Sequence, residues 1–213
     1  NGIWSSHSGL NIERKFNKLP SQKSDFFTLG SFNNYTKISD ETINVWTEIL
    51  KKIKNSKLIL KSSVTYSEIH FKEIFKREGV LSKVIFKNRP KNFEEHINLY
   101  KDIDLCLDTF PYTGVTTTCE ALWMNVPVIS MAGFNFNSRC GESILINSDL
   151  KDLVAQNKDD YISKAVSFAT DLDKLEKIRK FIFNEILKTN TFNTKKFAAN
   201  FWKSILDTYT NHK

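Results

Sequence analysis

The sequence has few of the residues that interrupt or cross-link a fold: seven glycines, four prolines and three cysteines among 213 residues. It contains no G-x-G-x-x-G and no G-x-x-x-x-G-K-[ST] pattern, which argues against a dinucleotide-dependent dehydrogenase and a P-loop nucleotidase. The cysteines, Cys106, Cys119 and Cys140, are odd in number and show no C-x-x-C spacing. We therefore predict no disulfide framework and a cytoplasmic location, where thiols stay reduced.

Long apolar runs are also lacking. No stretch approaches the roughly 18 consecutive apolar residues that a membrane-spanning helix needs, and no apolar block near the N-terminus is typical of a secretion signal. We therefore predict no membrane partner. Aromatic residues, by contrast, are abundant, and 17 Phe, 6 Tyr and 4 Trp supply enough apolar surface for a folded core. Because residue 1 is Asn1 and not Met, we expect the chain to begin inside a longer reading frame or after processing.

The net charge of +7 raises the question of nucleic-acid binding. Only five of the 31 basic residues are arginine, however, and arginine is the side chain best suited to bidentate contacts with phosphates and bases. The lysines are spread along the chain on predicted solvent-facing helix surfaces, as at Lys51, Lys52 and Lys54. We predict no nucleic-acid partner and attribute the charge to solubility.

The chain is predicted to contain one main domain. Residues 1–24 are polar and irregular, and we predict a linker or the tail of an upstream element there. From residue 25 to residue 210, short apolar runs alternate with amphipathic segments of helical period. The predicted strands are the runs 26–29, 58–60, 84–86, 103–107 and 126–129. Apolar strands separated by helices are typical of an α/β fold, a Rossmann-like parallel sheet with helices on both faces.

Ligands bind such a sheet at the carboxyl ends of its strands, where loops meet helix N-termini. Two polar loops follow predicted strands there, residues 30–37 and residues 108–120. The second loop turns at Gly114 and opens a helix with Thr116–Thr118, whose N–H groups and hydroxyls suit a diphosphate. Glu120, one turn further along, suits a ribose diol. The alternative is that the three threonines only cap the helix.

Other candidate sites have less support in the sequence. Asp102 and Asp104 match the D-x-D metal motif of some sugar transferases, but they lie at the start of a predicted strand, the wrong end for the ligand site. We predict no metal. His96 lies near the start of a helix on the carboxyl side of a strand, and it either faces solvent or contacts the site. No Ser/His/Asp or Cys/His spacing suggests a nucleophilic hydrolase.

Several motifs in the two loops carry a family resemblance. They are Gly30-Ser31-Phe32-Asn33-Asn34 with Lys37-Ile38, Asp108-Thr109-Phe110-Pro111-Tyr112 with Gly114, Thr116-Thr117-Thr118-Cys119-Glu120-Ala121-Leu122-Trp123-Met124, and Val126-Pro127-Val128. They resemble the catalytic C-terminal region of protein O-GlcNAc transferases, and more narrowly the bacterial and SPINDLY-like members of glycosyltransferase family 41. The likeness extends from about residue 26 to residue 209, and its most specific block is 108–127.

The resemblance implies a GT-B glycosyltransferase, in which two Rossmann-like lobes enclose a nucleotide sugar, and this chain is similar to the C-terminal, donor-binding lobe. It implies that Lys37 neutralises the diphosphate leaving group and is the catalytic residue of the lobe. The implied donor-binding residues are Asn34, His96, Gly114, Thr116, Thr117, Thr118 and Glu120. His96 would face the base and Glu120 the ribose, and no metal or other cofactor is implied.

The implied reaction is inverting transfer of GlcNAc from UDP-GlcNAc to a Ser or Thr of a protein that upstream helical repeats hold. Three positions depart from the animal pattern: Val115 replaces a His, Phe93 a Lys and Leu99 an Arg. Because SPINDLY-like relatives use GDP-fucose, the donor stays open, and a non-protein acceptor is a further alternative. The other alternative is a non-catalytic nucleotide-sugar-binding or interaction module. We expect the chain by itself to bind a nucleotide sugar but not to complete the transfer.

Overall fold

The computed structural model describes residues 4–61 and 65–211, in which a six-stranded parallel sheet is flanked by helices. The strands are β1 (Phe27–Ser31), β2 (Ser56–Lys61), β3 (Val84–Lys87), β4 (Leu105–Leu107), β5 (Val128–Met131) and β6 (Val154–Ala155). The α-helices are α1 (Asp40–Lys52), α2 (Thr65–Arg77), α3 (Phe93–Asn98), α4 (Thr116–Trp123), α5 (Phe136–Asn147), α6 (Lys158–Thr170), α7 (Leu172–Glu185) and α8 (Thr194–Asn211).

The strand order determines where a ligand can enter. The order is β3-β2-β1-β4-β5-β6, and every neighbouring pair is parallel. From β1 the chain moves outward to β2 and β3, then returns to the other side of β1 and moves outward again through β4, β5 and β6. The direction of winding therefore reverses between β1 and β4, and the loops after these two strands border a crevice at their carboxyl ends. Both polar loops predicted to bind a ligand lie at this crevice.

The helix starts follow from capping residues in the sequence. Ser39 is the N-cap of α1, and its hydroxyl accepts a hydrogen bond from the Thr42 N–H. Asn92 caps α3 in the same way, with its amide oxygen accepting from the Glu95 N–H. Both starts were predicted from the sequence and are confirmed. Short polar side chains satisfy N–H groups that have no partner within the helix, which fixes where each helix begins.

The sheet is covered on both faces, as predicted. Strand β1 is buried at all five of its positions, as expected for a central strand that packs helices on each side. A large core forms on one face, and a smaller cluster forms on the other around Phe32, Ile97 and Tyr100. The α/β class and the parallel sheet are therefore confirmed. The prediction that 126–129 is the last strand is wrong, because Val154–Ala155 pairs with β5; two residues are too short for a periodic signal.

The N-terminal segment packs along the same lobe. Among the described residues 4–24, the only helical element is the 3₁₀ turn Pro20–Gln22. The Arg14 guanidinium donates to the carbonyls of Trp123, Ile182 and Phe183. The division between 1–24 and 25–210 stays a prediction, and residues 1–3 lie outside the described residues. These hydrogen bonds from Arg14 attach the segment 4–24 to the rest of the lobe.

Helix α8 differs from the other helices in its exposure. Its large apolar residues Phe201, Trp202 and Leu206 are each more than half exposed. Even so, none of the helices within 4–61 and 65–211 combines the length and apolar composition that crossing a bilayer requires. All three cysteines, at 106, 119 and 140, are buried and unpaired.

Candidate functional site

The two loops at the crevice are joined directly to each other. Ile38, after β1, forms an isolated antiparallel bridge with Pro111, after β4. The hydroxyls of Ser39 and Thr42, at the start of α1, donate to the Phe110 carbonyl at 2.9 and 2.6 Å. Because these bonds connect segments about 70 residues apart, each loop holds the other in place, and the crevice between them is defined before any ligand binds.

Asp108, the first residue after β4, organises the second loop. Its buried carboxylate accepts hydrogen bonds from the Thr109 N–H (2.9 Å), the Gly114 N–H (2.7 Å), the Asn33 amide (3.0 Å) and the Ser130 hydroxyl (2.7 Å). Burial raises the pKa of Asp108, while these four donors favour its charged form. Asp108 was not among the predicted site residues. Its signal in the sequence is an acidic side chain directly after an apolar strand.

The start of α4 is left open toward the crevice. Its N-cap is Val115, and no side chain caps the helix. The Thr117 hydroxyl instead donates to the Asn33 Oδ1 at 2.6 Å, which joins α4 to the first loop. The alternative that the threonines only cap the helix is therefore wrong. The first N–H groups of α4 and the positive end of its dipole lie at the carboxyl edge of the sheet, an arrangement that favours an anion.

Gly114 is needed because its neighbours leave no space for a side chain. A Cβ atom built there would lie 2.7 Å from the hydroxyls of both Thr117 and Thr118. We expect Gly114→Ala to displace these threonines and to lower the free energy of unfolding by about 1–3 kcal/mol, measured by urea denaturation. Thr116→Ala, which removes an exposed hydroxyl in the same turn, is the control and is expected to change it by less than about 0.5 kcal/mol. Equal effects of the two substitutions would contradict this steric explanation.

Lys37 extends from the first loop and places a positive charge against the second loop. It ends the 3₁₀ turn Tyr35–Lys37, and its ammonium donates to the Thr113 carbonyl at 3.1 Å. The same ammonium lies 4.1 Å from the centroid of the Tyr112 ring. Burial lowers the pKa of Lys37, and the nearby charge of Asp108 opposes that shift. The ammonium is thus held beside the loop that leads into α4.

A second cluster of polar side chains surrounds Glu120. Its Oε2 atom is 2.9 Å from the His96 Nε2 and 3.2 Å from the Tyr100 hydroxyl. The His96 Nδ1 is in turn 3.2 Å from the ammonium of Lys61, the last residue of β2. The His96 side chain is only 14% exposed, so the alternative that it faces solvent is wrong. Burial lowers the pKa of Lys61, and the negative charge of Glu120 opposes this shift.

The structure therefore brings most of the predicted site residues to one crevice. Lys37, Gly114 and the three threonines lie around the start of α4, and His96 and Glu120 form a pair one helical turn further along α4. Asn34 is placed differently: it is exposed, and its side chain accepts from the Thr36 N–H and so caps its own turn. Within the described residues, no group of three or more His, Cys, Asp and Glu side chains is arranged to hold a metal ion.

The fold and crevice define a Rossmann-like lobe of the GT-B type, with a basic side chain beside an uncapped helix N-terminus. A sequence model of the family described as "Glycosyl transferase family 41" matches residues 8–201. The chain belongs to glycosyltransferase family 41. An Arabidopsis thaliana relative, "Probable UDP-N-acetylglucosamine--peptide N-acetylglucosaminyltransferase SPINDLY", is 33% identical over 203 residues, which is 86% of this chain and 21% of the relative. The chain thus spans about a fifth of the length of such curated relatives.

Solved structures agree with this assignment. A lysine-to-methionine mutant of Thermobaculum terrenum O-GlcNAc transferase superposes with a TM-score of 0.79 and 27% identity, covering 85% of this chain and 36% of that one. The C-terminal domain of a group 1 glycosyl transferase from Francisella tularensis has a TM-score of 0.60 at 13% identity, covering 87% of this chain and 94% of that one. The second similarity concerns the fold alone.

Proposed function

We propose that this chain is the donor-binding lobe of an inverting glycosyltransferase that moves GlcNAc from UDP-GlcNAc to Ser or Thr side chains of proteins. The observation that carries the proposal is the Lys37 ammonium, which comes from the first loop and is bonded to the Thr113 carbonyl just before the uncapped start of α4. A diphosphate bound at this place would meet both the positive charge of Lys37 and the N–H groups of the helix start.

The proposed chemistry follows from where charge develops. When the bond between the sugar and the diphosphate breaks, negative charge accumulates on the leaving β-phosphate. In this proposal, Lys37 and the N-terminus of α4 stabilise that charge. The bonds from Lys37 to Thr113 and from Thr117 to Asn33 hold the two loops together, so little rearrangement is needed. The acceptor hydroxyl attacks from the opposite face of the sugar, which inverts the anomeric configuration. In this proposal the base that takes its proton lies outside this chain.

The donor and the acceptor are proposed from the relatives' printed names, which specify UDP-N-acetylglucosamine and a peptide. We propose that the protein acceptor is held by helical repeats in the portion of those relatives that this chain does not span. A cytoplasmic location is part of the same proposal, and the three buried, unpaired cysteines support it.

Calorimetric titration of the 213-residue chain with UDP, GDP and UDP-GlcNAc tests the proposal. We expect UDP and UDP-GlcNAc to bind and GDP to bind more weakly. Preference for GDP would support a GDP-sugar donor instead. Absence of binding to all three ligands, in a chain shown to be folded by circular dichroism, would leave the non-catalytic interaction module as the better explanation.

Glu120 provides a variant for the same titration. We expect Glu120→Ala to weaken UDP binding about 10- to 100-fold, because a charged acceptor for the ribose hydroxyls is lost. Glu94→Ala is the matched control, since Glu94 is an exposed acid in the first turn of α3 and its removal changes the net charge equally. Unchanged UDP affinity in the Glu120 variant would remove the ribose assignment.

A further inference from the structure

The contacts around His96 form a chain of hydrogen bonds with a defined direction. An ammonium has three donors and no acceptor, so the His96 Nδ1, at 3.2 Å from the Lys61 Nζ, must be the accepting nitrogen. A neutral imidazole that accepts at Nδ1 carries its proton on Nε2. The Nε2–H then donates to the Glu120 Oε2 at 2.9 Å.

The orientation of the Glu120 carboxylate follows from this order of hydrogen bonds. Its Oε2 atom is the acceptor for the Nε2–H of His96, and it also lies 3.2 Å from the Tyr100 hydroxyl. The bond from His96 therefore orients the carboxylate through Oε2. The Tyr100 hydroxyl, whose single proton is shared with the Thr117 carbonyl at 3.1 Å, lies near the same oxygen, and neither side chain contacts Oε1. The side chain of Glu120 is only 7% exposed, so its rotation is limited by packing.

We propose that Lys61 is a positioning residue of the nucleotide site: by donating to Nδ1 it holds His96 in the Nε2–H tautomer, which orients Glu120 so that Oε1 is presented to the ribose. The inference rests on the proposed nucleotide-binding function. Lys61 is suited to this role because it ends β2, next to β1, and is half-buried. Phe32 and Tyr100 pack against the imidazole and restrict its rotation.

The tautomer can be observed directly by nuclear magnetic resonance. In ¹⁵N-labelled wild-type chain we expect the His96 Nδ1 to show the shift of an unprotonated acceptor and Nε2 the shift of a protonated nitrogen. The sequence has four histidines, and a His96→Gln variant assigns the signals. A wild-type His96 protonated on Nδ1 overturns the inference, and this measurement does not depend on whether any variant folds.

Variants of Lys61 test its role. In Lys61→Met the Nδ1 signal is expected to shift and UDP affinity to fall about 3- to 10-fold, while Lys61→Arg, which keeps a donor, is expected to restore both. Lys57→Met is the matched control, because Lys57 lies on the same strand with its ammonium over the Phe26 ring, and it should change neither quantity.

The outcomes separate the inference from the proposed function. An unaltered His96 spectrum in Lys61→Met overturns the role of Lys61, whatever binds in the crevice. A shifted spectrum with wild-type UDP affinity also overturns its role as a positioning residue. Failure of the wild-type chain to bind any nucleotide overturns the proposed function, and with it the purpose assigned to Oε1, while the tautomer measured without ligand stands as a separate result.

Discussion

Replacement of Lys37 by alanine is expected to lower turnover about 10²- to 10³-fold in a catalytically competent protein that contains this chain. The physical reason is that the ammonium lies where the leaving diphosphate gains charge, and half-burial strengthens that interaction compared with water. In the 213-residue chain alone, the same substitution is expected to weaken UDP binding about 10- to 100-fold, as the loss of a charge-assisted contact implies. Steady-state kinetics and calorimetry measure the two effects.

The matched control is Lys52→Ala. Lys52 is an exposed lysine in the last turn of α1, at the opposite end of the helix that begins just after Lys37. Both substitutions remove one positive charge, so a difference between them reports position and not net charge. Full turnover in the Lys37 variant, or an equal loss in the Lys52 variant, would refute the catalytic assignment.

Replacement of Asp108 by alanine is expected to lower the free energy of unfolding by about 3–5 kcal/mol. The substitution removes the acceptor for four donors, which come from both loops, from β5 and from the turn before α4. Donors that stay buried without a partner each carry a desolvation cost. Because Asn33 and Gly114 lose their shared partner, the crevice should also open, and UDP affinity should fall with stability. Urea denaturation of the 213-residue chain checks the first effect.

Two variants calibrate this result. Ser130→Ala removes one of the four donors and is expected to lower the free energy of unfolding by about 1 kcal/mol. Asp102→Ala removes a carboxylate that is 58% exposed and paired with Lys87 at the surface, and it should cost less than about 1 kcal/mol. If Asp108→Ala were no more destabilising than Asp102→Ala, Asp108 would not be the centre of the loop.

The two loops illustrate how much the sequence predicts about this site. Apolar runs before Gly30 and Asp108 identify two strands, and polar residues after each strand identify the loops, because strand burial and turn chemistry are local properties. That β1 and β4 are neighbours is not local, since 73 residues lie between the end of β1 and the start of β4. The distance between Lys37 and Thr113 depends on that pairing, so it is visible only in the folded lobe.

The roles of Asp108 and Lys61 also could not be predicted from the sequence. Each is a single charged residue at the end of a strand, and nothing adjacent in the sequence identifies its partners. Asp108 receives donors from positions 33, 109, 114 and 130, and Lys61 contacts His96, 35 residues away. Burial makes these contacts strong, but burial itself is decided by the packing of distant elements.

The sequence by itself therefore determined the α/β class, the parallel sheet, the helix starts at Ser39 and Asn92, and the family, because periodicity, capping and motif spacing are written in neighbouring residues. Tertiary structure alone decided that the sheet has a sixth strand, that the threonines of α4 do not cap it, and that His96 faces Glu120. These features depend on which strands pair and on which side chains are buried against each other. Such contacts form between residues that are far apart in the chain, and only the folded lobe brings them within bonding distance.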